Sequence, residues 1–120
     1  MNKKILVVDD SSSNILLIQN FLEDEGFEVV TALDGKAALE QVKNTKPDVI
    51  LLDLMMPEID GMQVMEKLKQ DNKTKNIPII FISASKDRDI QQKAIDEGAH
   101  AFISKPLDFD LILRELDTLN

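Results

Sequence analysis

A chain of 120 residues with 43% apolar and 30% charged content can bury one hydrophobic core, and this balance excludes an intrinsically disordered protein. Fourteen basic residues against 22 acidic ones give a net charge of −8, which repels nucleic-acid phosphate and argues against direct DNA or RNA binding. The absence of cysteine excludes disulfides and thiolate metal sites, no apolar run approaches a membrane span, and Met1-Asn2-Lys3-Lys4-Ile5 lacks the pattern of a secretory signal, so the expected setting is cytoplasmic.

Short apolar runs alternate with segments of helical period, the pattern of βα units on a parallel sheet. The first strand is expected over Lys4–Val8, and the first helix opens in Ser11-Ser12-Ser13-Asn14 and stops at Gly26. A more mixed strand, Glu28–Ala32, suits a place nearer a sheet edge, and a second helix follows Asp34-Gly35. The strands at Asp48–Leu52 and Ile77–Ile82 are continuously apolar, like the first, as central strands covered on both faces should be. Between them a third helix follows Asp60-Gly61. A fourth helix runs from near Ser85 or Asp87 to Gly98, and the last strand is Ala101–Ile103. The fifth helix starts near Asp108 and runs to the chain end, with Phe109, Ile112, Leu116 and Leu119 spaced as one buried face. Right-handed crossovers then place helices on both sides of the sheet. No linker or repeat interrupts the pattern, so residues 1–120 read as one domain.

Four strands end in reactive groups: Asp9-Asp10, Asp53, Ser83, and Lys105-Pro106. In an open parallel sheet, the carboxyl ends of the strands are where ligand chemistry is assembled. Taken alone, Asp9-Asp10 reads more readily as a helix cap and a solvated loop acid. Asp53 is harder to explain so, because Leu51-Leu52 and Leu54-Met55-Met56-Pro57 surround it with apolar neighbours. A carboxylate there is costly unless a cation or hydrogen bonds compensate it. Lys105 alone could be a solvated lysine, Ser83 an ordinary strand-terminal hydroxyl, and Phe102 a core residue. His100, between two alanines, reads as a surface residue and not a ligand. The order and placement of the whole set carry the signal.

Ile5-Leu6-Val7-Val8-Asp9-Asp10, Leu51-Leu52-Asp53-Leu54-Met55-Met56-Pro57, Asp60-Gly61, Ile82-Ser83-Ala84 and Lys105-Pro106 together resemble the receiver domains of two-component response regulators. The resemblance covers essentially the whole chain. It implies a flavodoxin-like, doubly wound five-stranded parallel sheet of order 2-1-3-4-5 with five helices, an order that the general rule for such sheets already illustrates with a receiver protein. It further implies that Asp53 accepts a phosphoryl group from a phosphohistidine of a sensor histidine kinase or histidine phosphotransfer protein. Asp10 and Asp53 would ligate Mg²⁺ directly, with Mn²⁺ a possible substitute. Asp9 would act largely through water, and the backbone carbonyl of Met55 would complete the set. An open, oxygen-rich site that retains waters suits Mg²⁺.

By the same resemblance Lys105 pairs with a phosphoryl oxygen, Ser83 donates to another, and Ser83 and Phe102 form the switch that alters the surface of helix 4, strand 5 and helix 5 for a downstream protein target. Phe102 lacks the hydroxyl of the commonly found Tyr, so packing alone must bias its rotamers. A cis Lys105-Pro106 bond is also implied. Met55 and Ser85 lie where the family tunes phosphoryl loss, and neither is an acid, which points to an intermediate or slow lifetime. Two further surfaces emerge from the helices. Ile15-Leu16-Leu17-Ile18 cannot all point inward on an amphipathic helix, and Leu111 and Leu113 lie off the buried stripe of the fifth. The oligomeric expectation is a monomer or a phosphorylation-dependent dimer, acting as a stand-alone receiver or as the receiver part of a longer regulator.

Three rivals share parts of this pattern. A Mg²⁺-dependent aspartyl-phosphate hydrolase of haloacid-dehalogenase type needs a second Asp two residues after the nucleophile, where this chain has Met55. A flavin-binding module would need a phosphate-cradling loop after the first strand, where Asp9-Asp10 would repel phosphate. A receiver that has lost phosphorylation should lack a reactive group, and here every one is present. The expected role is therefore a signalling phosphoacceptor and not an enzyme.

Overall fold

The computed structural model describes residues 3–119. Its elements in chain order are β1 (Lys4–Val8), α1 (Ser12–Asp24), β2 (Glu28–Ala32), α2 (Gly35–Thr45), β3 (Val49–Asp53), α3 (Gly61–Lys69), β4 (Ile79–Ser83), α4 (Arg88–Asp96), β5 (Ala101–Ser104) and α5 (Phe109–Asp117). All four strand pairings are parallel and the order is β2-β1-β3-β4-β5, as expected for the flavodoxin-like arrangement. The mixed strand β2 lies on an edge, and the three apolar strands are central.

The period-two alternation of strand side chains divides the core into two layers. Leu6, Val8, Ile50, Leu52, Ile79 and Phe81 pack on the side of α2, α3 and α4. Ile5, Val7, Val49, Leu51, Ile80 and Ile82 pack on the side of α1 and α5. Each helix is started by a side chain that accepts a backbone N–H: Ser11, Asp34, Asp60, Asp87 and Asp108. At α3 the cap is reciprocal, since Gln63 also accepts from the Asp60 amide.

Some boundaries differ from the sequence reading for local reasons. β4 starts at Ile79 because Pro78 has no N–H, although its carbonyl still accepts from Ile50. β3 starts one residue later than expected, although Asp48 is tied to β1 by its amide on the Lys4 carbonyl and by its side chain on the Lys4 amide, each at 2.8 Å. It also ends one residue later, so Asp53 belongs to the ladder itself, opposite Ile82. The fifth helix stops at Asp117, short of the chain end, where Thr118 serves as its C-cap. In it Ile112 and Leu116 are buried and Phe109 and Leu119 pack partly against the same layer, but Leu111 joins them there instead of standing free. In α1, Ile15 and Ile18 are buried while Leu16 and Leu17 are more than half exposed, so the apolar run does project outward. No helix among the described residues is long and apolar enough to cross a membrane.

Phe81 is fully buried between β4 and the α3 layer, whereas Leu16 is 57% exposed. Phe81→Ala should lower the unfolding free energy by about 3–5 kcal/mol. Leu16→Ala should stay within about 0.5 kcal/mol of wild type. Urea unfolding of both variants checks this, and a comparable cost at the two positions would contradict the packing described.

Candidate acid pocket

The parallel order brings the carboxyl ends of β1 and β3 side by side, and β4 separates β3 from β5. Asp9 follows β1, Asp53 ends β3, Ser83 ends β4 and Lys105 follows β5. One carboxylate oxygen from each of Asp9, Asp10 and Asp53 falls within 4.8 Å of the others. Asp9 and Asp53 are buried, at 2% and 4% exposure, and Asp10 is exposed. The Lys105 ammonium lies 3.4 Å from Asp9 Oδ2 and 3.6 Å from Asp53 Oδ2, so a single cation faces two buried acids.

Asp9 is anchored by the start of α1. Its Oδ1 accepts from the Ser11 amide at 2.9 Å, and its Oδ2 accepts from the Asn14 side chain at 3.4 Å. Asp53 Oδ1 accepts from the Met55 amide at 3.1 Å. Ser83 is fully buried, and its hydroxyl oxygen accepts from the Ser85 amide at 3.1 Å. Burial pushes the Asp53 carboxyl up from 3.8 to about 6, and the neighbouring Asp9 charge adds to the effect. Lys105 and the Met55 amide pull it down, and the charge on Asp10 pushes it up further.

The loop after β3 is held against the pocket by a close backbone approach. The Gly61 amide donates to the Leu54 carbonyl at 2.9 Å. A Cβ at Gly61 would lie 2.6 Å from the Asp53 carbonyl oxygen and 2.9 Å from the Phe81 ring, so no other residue fits without displacing β3. Glu58 within this loop sits in the left-handed region at φ 66°, a strained conformation for a residue with a Cβ. Met55 projects its side chain outward at 60% exposure. The peptide between Lys105 and Pro106 is cis.

The structure therefore gathers Asp9, Asp10, Asp53 and Lys105 directly, with Ser83 on the strand between. Phe102 stands apart on β5, half-buried against Phe81 with ring centroids 6.2 Å apart, and faces α4. His100 lies at the other end of β5. Because the Thr118 hydroxyl donates to the Glu115 carbonyl, His100 Nε2 is the donor to Thr118 Oγ1 at 2.6 Å. Sequence reasoning took Asn14 only for a cap; its amide contact with Asp9 was legible solely in its position one turn into the helix that follows the acids.

A doubly wound sheet with an acid cluster and one lysine at its carboxyl edge defines a known class of signalling module. Residues 5–117 match the response regulator receiver domain, and the chain belongs to that family. It is 40% identical over 119 residues to the response regulator PleD of Caulobacter vibrioides, covering 99% of this chain but 26% of that protein. It is 32% identical over 107 residues to the polar-differentiation response regulator DivK of Brucella anthropi, covering 89% of this chain and 87% of that one. Among solved structures, the chemotaxis protein CheY4 of Vibrio cholerae superimposes with a TM-score of 0.93 at 29% identity over the full length of both chains. The receiver domain of the Francisella response regulator 1452 gives 0.91 at 30% identity, over 98% and 96% of the two chains. The chain thus spans about a quarter of PleD and most of DivK.

The pocket carries a pH signature. The Asp53 carboxyl binds its proton more tightly in the folded than in the unfolded chain, so the folded state is favoured below pH about 4 and loses that contribution as pH rises through about 6. In metal-free buffer at pH 7, Asp53→Asn should be more stable than wild type by roughly 2–3 kcal/mol, an advantage that vanishes near pH 4. Urea denaturation across this range tests the point, and parallel stability curves for the two proteins would refute it.

Proposed function

We propose that residues 1–120 act as one phosphoacceptor unit of a two-component phosphorelay, with Asp53 taking a phosphoryl group from the phosphohistidine of a sensor histidine kinase or a histidine phosphotransfer protein. The observation that carries this reading is the convergence of three carboxylate oxygens within 4.8 Å beside one ammonium group, at the carboxyl end of a parallel sheet. Such a crowd of like charges has no structural use and asks for a divalent cation. The donor set fits Mg²⁺: hard oxygen ligands only, one of them exposed so that waters can stay bound. Asp10 and Asp53 would hold the ion directly, Asp9 through water, and the Met55 carbonyl would complete the protein ligands. When bound, Mg²⁺ would neutralise charge on the transferring group and offset the repulsion among the three carboxylates.

The chain's own residues then have distinct tasks. An Asp53 carboxylate oxygen attacks phosphorus, the N–P bond breaks, and its electron pair returns to the departing imidazole, leaving an acyl phosphate. The Met55 amide orients the Asp53 carboxylate through the 3.1 Å contact at Oδ1. Lys105, suspended between Asp9 and Asp53 at distances longer than a good hydrogen bond, is free to move onto a phosphoryl oxygen. Ser83 has an uncommitted hydroxyl proton among the described residues and would donate it to a second oxygen. Phe102, packed on β5 beside α4, would follow and pass the change to the surface of α4, β5 and α5, where a downstream protein binds. Met55 in place of a second acid favours retention of the phosphoryl group as a signal over its hydrolysis.

Acetyl phosphate should add one phosphoryl group to wild type in the presence of Mg²⁺ and none in excess chelator. Asp53→Asn should stay unmodified under both conditions, and Lys105→Ala should react about 10²-fold more slowly. Intact-mass time courses read all of these, and equal modification of wild type and Asp53→Asn would remove Asp53 from the role. Separately, Asp10→Ala should weaken Mg²⁺ binding by roughly 10–100-fold or more. Calorimetric titration with an unchanged dissociation constant would take Asp10 out of the ligand set.

A further inference from the structure

At the opposite, amino-terminal end of the sheet, the end of α2, the turn into β3 and the α3–β4 connection line a cleft of about 660 Å³. Its floor is apolar, formed by Val42, Pro47 and Ile77, and its rim carries Lys43, Lys46 and Lys73. A second cleft of about 360 Å³ shares Val42, Lys43, Asp71 and Thr74 with the first and extends it toward Leu39, Leu68 and Lys67. The two form one open groove along the junction of α2 and α3.

We propose that this groove binds an acidic peptide segment of a partner protein that carries apolar side chains between its carboxylates. Charge complementarity is the first support. On a chain of net charge −8 this groove gathers four lysines against one acid, Asp71. Among the described residues, none of these lysines takes part in an ion pair, although nearby Lys4 and Lys69 donate to backbone carbonyls. The helix dipole accounts for only part of the cluster. Lys43 and Lys67 stand in the last turns of α2 and α3, where a cation is favoured. Lys46 is the C-cap of α2 and shares that field, but Lys73 lies in the connection, four residues past the end of α3 and beyond its reach.

Backbone conformation supplies a second support. Lys46 occupies the left-handed region at φ 49°, a position that glycine or asparagine fills at lower cost. Lys46 closes α2 in this conformation, and where glycine would serve the chain has a residue that brings a positive charge to the mouth of the groove. The shape and Asp71 decide the class of anion. Asp71 Oδ1 accepts from the Lys73 amide at 2.9 Å, and Asp71 lines both clefts. A compact polyphosphate would meet that carboxylate head-on. An extended peptide can space its acids along the lysines, seat an apolar side chain on Val42 and Ile77, and offer an N–H to Asp71.

A fluorescein-labelled peptide of alternating glutamate and leucine is the probe, with an all-glutamate peptide and ATP as comparisons. The alternating peptide should bind wild type saturably, at least about tenfold more tightly than the all-glutamate peptide, and more weakly as salt is raised. The triple variant Lys43→Glu, Lys46→Glu, Lys73→Glu should lose at least about tenfold in affinity. If that variant unfolds, the corresponding triple Gln variant replaces it, with folding checked by circular dichroism. Amide shift changes should fall in residues 39–47 and 67–77 and spare the acid pocket. The proposal is overturned by absence of saturable binding, by equal binding of the two peptides, by no effect of the substitutions, or by ATP displacing the peptide at equal concentration.

Discussion

Mutual repulsion among Asp9, Asp10 and Asp53 is the constraint around which the rest of this molecule is arranged. Two of these acids are buried, and among the described residues only one cation, Lys105, stands within 4 Å of them. Two such charges 4 Å apart interact by about 4 kcal/mol even at an effective dielectric of 20, so the pocket is a cost on folding wherever the acids are ionised. The hydrophobic layers above and below the sheet must outweigh it. That is why the strands that carry the acids, β1 and β3, are central and apolar almost throughout, with both faces covered. An edge strand such as β2, partly exposed along most of its length, could not hold a buried carboxylate against that opposition.

The compensating lysine also ties the site to the completeness of the fold. Lys105 follows β5, which touches neither β1 nor β3; it reaches the acids only across β4. The parallel register sets Ser83 opposite Ser104 and Asp53 opposite Ile82, so Ser83 ends the strand that lies between the one carrying Asp53 and the one leading to Lys105. A partly folded chain lacking β5 would therefore expose uncompensated acids. Lys105 docking answers part of this electrostatic imbalance. Anything that binds the folded state at this pocket stabilises the whole sheet by linkage.

Period and position made most of this legible from residues alone. Continuous apolar runs marked β1, β3 and β4 as central, and the mixed composition of Glu28–Ala32 marked an edge. Asp53 stood out because no bland explanation covers a carboxylate amid six apolar neighbours. Boundaries were less legible, since they hinge on single groups such as the missing N–H of Pro78. Asn14 escaped notice because its side chain serves a residue five positions earlier rather than its own helix end. Gly61 carries a requirement that only three-dimensional proximity reveals, namely the Asp53 carbonyl beneath it. The basic groove was invisible for the same reason: Lys43 and Lys73 are distant in sequence, and each alone reads as a solvated lysine.

The two ends of the sheet are oppositely charged, and the βα architecture explains why both can exist in one small chain. Each helix returns antiparallel to the strands, so helix N-termini gather at the carboxyl edge and C-termini at the amino edge. The positive ends of the helix dipoles thus face the acids, as in the Ser11 amide donating to Asp9, and the negative ends face the lysines. Each such interaction contributes only about 0.3–1 kcal/mol, enough to tolerate a charge near a helix end but not to gather three carboxylates within 4.8 Å. The backbone supplies the polarity of the fold; side chains exceed it at both edges. Charge in excess of what the dipoles accommodate calls for a counter-charge: Lys105 supplies part of it at the acid edge, and the proposed metal ion and acidic partner would supply the rest at the two edges.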